Sequence, residues 1–245
     1  MALPEAGVEF KVGTSGWHYP HWQGKFYPPD LPRTRWLAFY ATRFSTVELN
    51  NTFYHQPLEK TLHAWRDTAP PGFTYAVKAN RYITHIKRLN DVAGPVEKFT
   101  GRVALLGDRL GPLLYQLPPG LKRDDGRLER FLALLPPQLQ HAIEFRHRSW
   151  LDDTVYAVLR QHNVAFCIFD LPGFRAPPVA TADFAYLRFH GSVSLYGGSY
   201  TDGELKSWAM EIKRLGAPTV YAYFNNDADG FAVDDALTLK KMLEG

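Results

Sequence analysis

The sequence predicts an α/β protein: a TIM (β/α)8 barrel, eight parallel strands inside and helices outside. Three observations lead there. Eight apolar runs of strand length recur along 245 residues, segments with helical spacing separate most of them, and polar side chains collect at the carboxyl ends of the runs. One barrel of this kind accounts for a chain of this length, so a single domain over residues 1–245 is expected.

The first run, "FKVGTSG" (10–16), ends in glycines that permit a sharp exit, and it opens into the aromatic loop "WHYPHWQGKFYP". Helical spacing follows in "TRWLAFYATRF", with Thr34 as its N-cap. "TVELN" (46–50) precedes the helix "LEKTLHAWRDT". "TYAVK" (74–78) precedes a long loop, "ANRYITHIKRLNDVAG", and the helix "PVEKFTGRVALLG", stopped at Gly107. "PLLYQLP" (112–118) leads to "GRLERFLALLP", capped by Asp125, and "HAIEFRH" (141–147) leads to "DTVYAVLRQHN", capped by Asp152 or Asp153. The sixth run, "AFCIFD" (165–170), is followed by the proline-rich "LPGFRAPPVATAD", which reads as loop and makes the sixth connection irregular. "FAYLRFHG" (184–191) continues through another long loop, "GSVSLYGGSYTDG", into "GELKSWAMEIKRLG", placed between Asp202 and Gly216. "TVYAYFNN" (219–226) and "DDALTLKKMLEG" close the chain, with Asp227 and Gly230 as turn and cap between them.

Composition narrows the class. Hydrophobic residues at 45% and charged residues at 22% are those of a globular domain and exclude disorder. The start "MALPEAGVEF" lacks the basic and apolar regions of a secretory signal, and no apolar run reaches the ~20 residues of a membrane span, so a cytoplasmic protein without membrane partners is expected. A lone Cys167 fits a reducing compartment, reads as a small core residue, and excludes cysteine-ligated structural zinc. Net charge +3 permits phosphate binding without requiring it. Neither GxGxxG nor GxxxxGK[ST] occurs, so no nucleotide cofactor loop identifies a cofactor.

Strand alternation sorts the polar residues. Glu48 shares a face with Asn50, Glu144 with Arg146, Arg188 with His190, Lys78 with Ala76, Gln116 with Leu114 and Asp170 with Ile168. If the apolar parity faces the helices, these groups turn inward at the carboxyl ends of their strands, where TIM-barrel active sites lie. So many ionisable groups are expensive to bury without partners. They read either as a substrate site or as an ion-pair layer plugging the barrel. Asn225 or Asn226 joins them from the last strand, with Asn225 taken as the inward one.

The stretches "GTSGWHYPHWQGKFYP", "TVELNNTFYHQP", "YAVKANRYITH", "AIEFRHRSW", "YLRFHG" and "YAYFNNDADGFA" run in order from about residue 10 to the C-terminus. In them the chain resembles the YecE-like family, domain of unknown function 72. The resemblance implies a TIM barrel, in agreement with the strand count, and it implies no particular reaction.

The residues themselves support three readings of function. In the first, an enzyme acts on an anionic, phosphate-bearing or polyhydroxylated small molecule or nucleotide. Glu48, Glu144, Lys78 and His190 are its catalytic candidates. Trp17, Tyr19, Asn50, His85, Gln116, Arg146, Arg188 and Asn225 are its binding candidates, guanidinium offering forked donors to an anion. In the second, Glu48, Glu144, Asp170 and His190 hold a divalent metal, against which stand Arg146 and Arg188 two residues from the ligands; no metal-binding residues are therefore assigned. In the third, the basic loop with Arg81, Tyr82, His85, Lys87 and Arg88 joins the aromatic loop to bind nucleic acid without chemistry. The aromatic loop follows the first strand and so lies over the same mouth, its rings part wall and part stacking platform, with Trp22 and Phe26 packed beneath as the competing reading.

Overall fold

The computed structural model describes residues 7–245. Eight parallel strands form a nearly closed barrel: β1 (Glu9–Thr14), β2 (Thr46–Leu49), β3 (Thr74–Lys78), β4 (Leu110–Gln116), β5 (His141–Glu144), β6 (Val164–Leu171), β8 (Phe184–Phe189) and β9 (Thr219–Phe224). The short β7 (Phe174–Arg175) is no stave of the barrel; it folds back antiparallel on the end of β6. That hairpin and loop replace a helix in the sixth connection.

Among the described residues seven helices cover the outside: α1 (Trp36–Tyr40), α2 (Glu59–Thr68), α3 (Ala93–Val103), α4 (Asp125–Leu132), α5 (Asp153–Gln161), α6 (Asp202–Lys213) and α7 (Ala232–Glu244). Their caps shift by one residue from the sequence reading at two places. Asp124 caps α4 through the Arg127 amide, and Thr201 closes a capping box with Glu204 at α6. Asp152 caps α5, while Thr34 lies inside a 3₁₀ turn and α1 begins without a side-chain cap. In the long loop after β3, Tyr82–Ile86 form one π-helical turn.

Two apolar clusters divide the molecule. The larger packs the helices onto the outer faces of the strands, with Val47, Val77, Leu113, Ile143 and Ile168 among its members. The smaller fills the barrel itself, where Ala76, Ala142 and Ala165 leave room for Phe184, Tyr186, Tyr221 and Tyr223 from the opposite wall.

Between β1 and β2 the barrel closes without a ladder. The Tyr40 hydroxyl accepts from the Thr14 amide at 2.9 Å and donates to the Thr46 carbonyl at 3.1 Å, splicing a side chain in place of a backbone bond. One bridge, Ser15 with Glu48, completes the seam. Gly13 makes this approach possible, because a β carbon there would collide with the Thr46 carbonyl oxygen. Gly13→Ala is therefore expected to destabilise the fold by about 1–3 kcal/mol, measured by urea unfolding; an unchanged midpoint would show that the strands can part freely there.

Candidate active site

Each polar group at the mouth is placed by the alternation of its strand. Glu48, at the third position of β2, and Glu144, at the last of β5, point inward from opposite sides, and Arg188 on β8 reaches between them. Its Nη2 donates to Glu48 Oε1 at 2.8 Å, and its Nη1 donates to Glu144 Oε2 at 2.7 Å. All three side chains are buried. Ser15 Oγ at 2.7 Å and the Tyr186 hydroxyl at 2.6 Å complete the shell of Glu48, while Arg146 pairs with Glu144 through Nε.

Burial alone would push both carboxyls up. At Glu48 burial is the largest single influence, but the Arg188 charge and the hydrogen bonds from Arg188, Ser15 and Tyr186 together outweigh it and hold that carboxyl below its ordinary value. At Glu144 the Arg146 and Arg188 charges together hold it well below. Both are therefore carboxylates at neutral pH. His190 has the opposite fate: burial, reinforced by the Arg188 charge, lowers it to about 4, so its ring is neutral. Arg146 Nη2 donates to His190 Nε2 at 3.0 Å, and Nδ1 lies 3.3 Å from the Asn225 amide.

Lys78 stands apart from this closed network. Its ammonium rests 4.3 Å from the centre of the Phe53 ring and makes no hydrogen bond or ion pair among the described residues. Burial first, then the Arg188 charge, lowers it to about 7. His85 sits near it, edge-on to Phe53, and is lowered to about 4 by burial and by the Lys78 charge. Asn50 accepts weakly from Arg188 Nη2 at 3.4 Å, and Gln116 ends β4, half-buried beside Glu144 in register.

The aromatic loop divides between the two readings given to it. Trp22 and Tyr27 are core: Trp22 Nε1 donates to Asp227 at 2.9 Å, and Tyr27 stacks on Trp36. Trp17 is buried against Trp65, and Phe26 is half-buried beside Trp22. Tyr19 is half-buried, donates to the Ser15 carbonyl at 2.6 Å, and lies within the field of Glu48 and Arg188.

Asp170 is not in the mouth. It shares its parity with Ile168, which faces the helices, and its carboxylate accepts from Trp208 Nε1 on α6 at 3.3 Å. Cys167 has the inward parity; it is buried in the barrel, and burial with the Glu144 charge pushes its thiol well up. The four-residue metal set read from the sequence is consequently not assembled, and among the described residues no group of three or more His, Cys, Asp or Glu side chains is arranged to hold a metal. Asp227 also differs from its reading: it turns with Gly230, but its carboxylate binds His21 and Trp22 in the β1 loop and leaves α7 uncapped.

Three contributors escaped the sequence reading. Tyr186 lies two residues before Arg188 on the same strand face, so alternation already pointed it inward. Ser15 follows directly on β1, and Phe53 lies in the 3₁₀ turn Asn51–Phe53 after β2; neither carries a signal of its own. A cavity of about 400 Å³ bordered by Gln56, Tyr82 and Lys98 contains none of the charged groups of the mouth.

Fold and site together define a TIM-barrel protein with a buried glutamate–arginine network under an uncommitted lysine at the carboxyl-end mouth. The chain belongs to the family described as "Protein of unknown function DUF72", whose model matches residues 11–245. It is 25% identical to the UPF0759 protein YunF of Bacillus subtilis over 95% of this chain and 93% of that protein. A DUF72 family protein from Thermotoga maritima superposes with a TM-score of 0.87 at 33% identity, covering 97% of this chain and 100% of that one. Another from Enterococcus faecalis gives 0.84 at 19% identity, covering 96% of each, a likeness of fold. No helix among the described residues is long and apolar enough to cross a membrane.

Proposed function

We propose that the mouth is the active site of an enzyme acting by acid/base chemistry on an anionic, phosphate- or carboxylate-bearing small molecule or nucleotide. Lys78 is its proton-transfer group. The observation that carries this is the contrast between Lys78 and its neighbours. Glu48 and Glu144 are ionised and enclosed by donors, so they act as the mould that fixes Arg188 and Arg146. Lys78 has three donors and no acceptor, on an apolar ring.

An amine titrating near pH 7 is suited to proton transfer at that pH, since both of its forms are populated. Arg146 Nη1, which has no partner among the described residues, and the Lys78 ammonium supply the donors for an anion. His190 and Asn225 keep Arg146 in place, and Gln116 borders the same space. A polyhydroxylated substrate lacking charge would leave those cationic donors unpaired and is the less favoured class.

The test is thermal denaturation with sugar phosphates, nucleotides and dicarboxylates, comparing wild type with Lys78→Met and Arg146→Met. At least one anionic probe is expected to raise the wild-type midpoint and to lose that effect in both variants. Midpoints unmoved by every anion would sink the proposal.

A non-catalytic reading draws on the exposed Tyr82 and Ile86 beside Arg81 and Arg88 on the β3 loop, a surface suited to single-stranded nucleic acid. It requires binding that weakens steeply with salt, as counterions are released from several phosphates.

A further inference from the structure

Resting on the reading above, we infer that the ligand is a nucleoside monophosphate, its base held in the groove between the β1 loop and α2 and its phosphate met by Lys78 and Arg146. The groove measures about 460 Å³ and is walled by Trp17, His18, Tyr19 and Trp65, with Asn50 and Asn51 along its edge. That volume lies in the range of small-molecule sites, about 300–1,000 Å³. Its chemistry is that of a ring pocket, because aromatic faces stack on a planar base whatever the sequence of its edge atoms.

The edge atoms find partners too. Asn51 is exposed and its amide makes no hydrogen bond among the described residues, and Asn50 is engaged only as an acceptor from Arg188. Their amide donors are available to the nitrogen and oxygen acceptors of a base. No lysine or arginine lines the groove, so it offers an anion no permanent cation. An anion therefore belongs in the mouth and an uncharged ring in the groove.

One turn joins the two halves. Asn50 and Asn51 border the groove, while Phe53, two residues further along the same 3₁₀ turn, carries the Lys78 ammonium on its ring. Asn50 itself accepts from Arg188 and lines the groove, so mouth and groove share a wall. A ligand with a ring and a phosphate on one sugar bridges that wall.

The experiment is calorimetric titration of the protein at low salt with AMP, GMP, CMP and UMP, with ribose 5-phosphate, and with the four nucleosides. At least one nucleotide is expected to bind about tenfold more tightly than ribose 5-phosphate, the size of one ring stacked on an aromatic face. Thr61→Phe, which fills the groove from α2, and His18→Ala, at an exposed position, are expected to reduce that advantage and to leave ribose 5-phosphate within about twofold of its wild-type affinity. Lys78→Met is expected to weaken every phosphate and spare the nucleosides.

Ribose 5-phosphate binding as tightly as all four nucleotides would overturn the base groove and leave the anionic mouth standing. Nucleosides binding as tightly as nucleotides, with sensitivity to Thr61→Phe alone, would keep the groove and remove the anion. Binding by none of the probes would overturn the inference, while the anionic reading would still be judged by its own panel of sugar phosphates and dicarboxylates.

Discussion

Arg188→Ala is expected to lose about 3–5 kcal/mol of stability at pH 7, which for a chain of this length lowers Tm by roughly 6–20 °C. The reason is what remains behind. Glu48 would keep its buried position and its bonds from Ser15 and Tyr186 but lose its cationic partner. Glu144 would retain Arg146. In the wild type both carboxyls lie below their unfolded values, so they add stability above about pH 4.5 that is lost as pH falls through their folded values.

Without Arg188, burial dominates at Glu48 and reverses the sign. Its carboxyl moves above the unfolded value, so the deficit is greatest near neutral pH and shrinks as acid protonates it. Adding Glu48→Gln to Arg188→Ala should therefore recover part of the loss at pH 7, a coupling visible in a double-mutant cycle. Additive losses would mean that the two side chains do not depend on one another, and thermal melts of the four proteins decide it.

Lys78→Met is expected to do the reverse: raise the melting temperature and abolish function. The native fold holds this amine at about 7, well below its ordinary 10.5, so protonating it in place is unfavourable. That penalty is complete below about pH 7, where both folded and unfolded chains carry the proton. It fades as pH rises from about 7 towards 10.5, where only the unfolded chain holds it. Methionine removes the penalty, so the variant should gain on the order of 1–3 kcal/mol at pH 6 and progressively less at higher pH.

Turnover should fall by about 10²–10⁴-fold, the contribution of a positioned acid or base. In the wild type, kcat should rise with pH through about 7 if the neutral amine accepts the proton, whereas a lysine serving only as an anion anchor would show ligand affinity falling over the same interval. A Lys78→Met protein less stable than wild type at pH 6 would contradict this account.

The barrel was legible in the sequence because its eight strands and seven helices are punctuated locally, by alternation, caps and glycines. The inward parity of Glu48, Glu144, Lys78 and Arg188 was legible for the same reason: each is flanked in sequence by two apolar residues that face the helices. Strand "AFCIFD" offers no such contrast. Apolar on both faces, it let Asp170 be placed at the mouth when it belongs with Ile168 against α6.

Pairings were beyond sequence reading altogether. Which carboxylate Arg188 meets depends on the stagger of strands far apart in the chain, and the Tyr186 hydroxyl reaches Glu48 across 138 positions. The fate of the rings between Trp17 and Tyr27 likewise follows from Asp227, a residue more than two hundred positions away whose carboxylate holds Trp22 and His21.

The side-chain closure between β1 and β2 makes that seam the natural line of local opening. Elsewhere neighbouring strands protect one another's amides through backbone ladders, with a register shift between β3 and β4, but here the Tyr40 hydroxyl and the Ser15–Glu48 contact stand in for one. Amide hydrogens facing the seam should exchange with solvent through small excursions rather than whole-molecule unfolding. Because Glu48 also grips Arg188, anything that tightens the mouth tightens the seam, and occupancy of the site becomes readable as slowed deuterium uptake in β1 and β2.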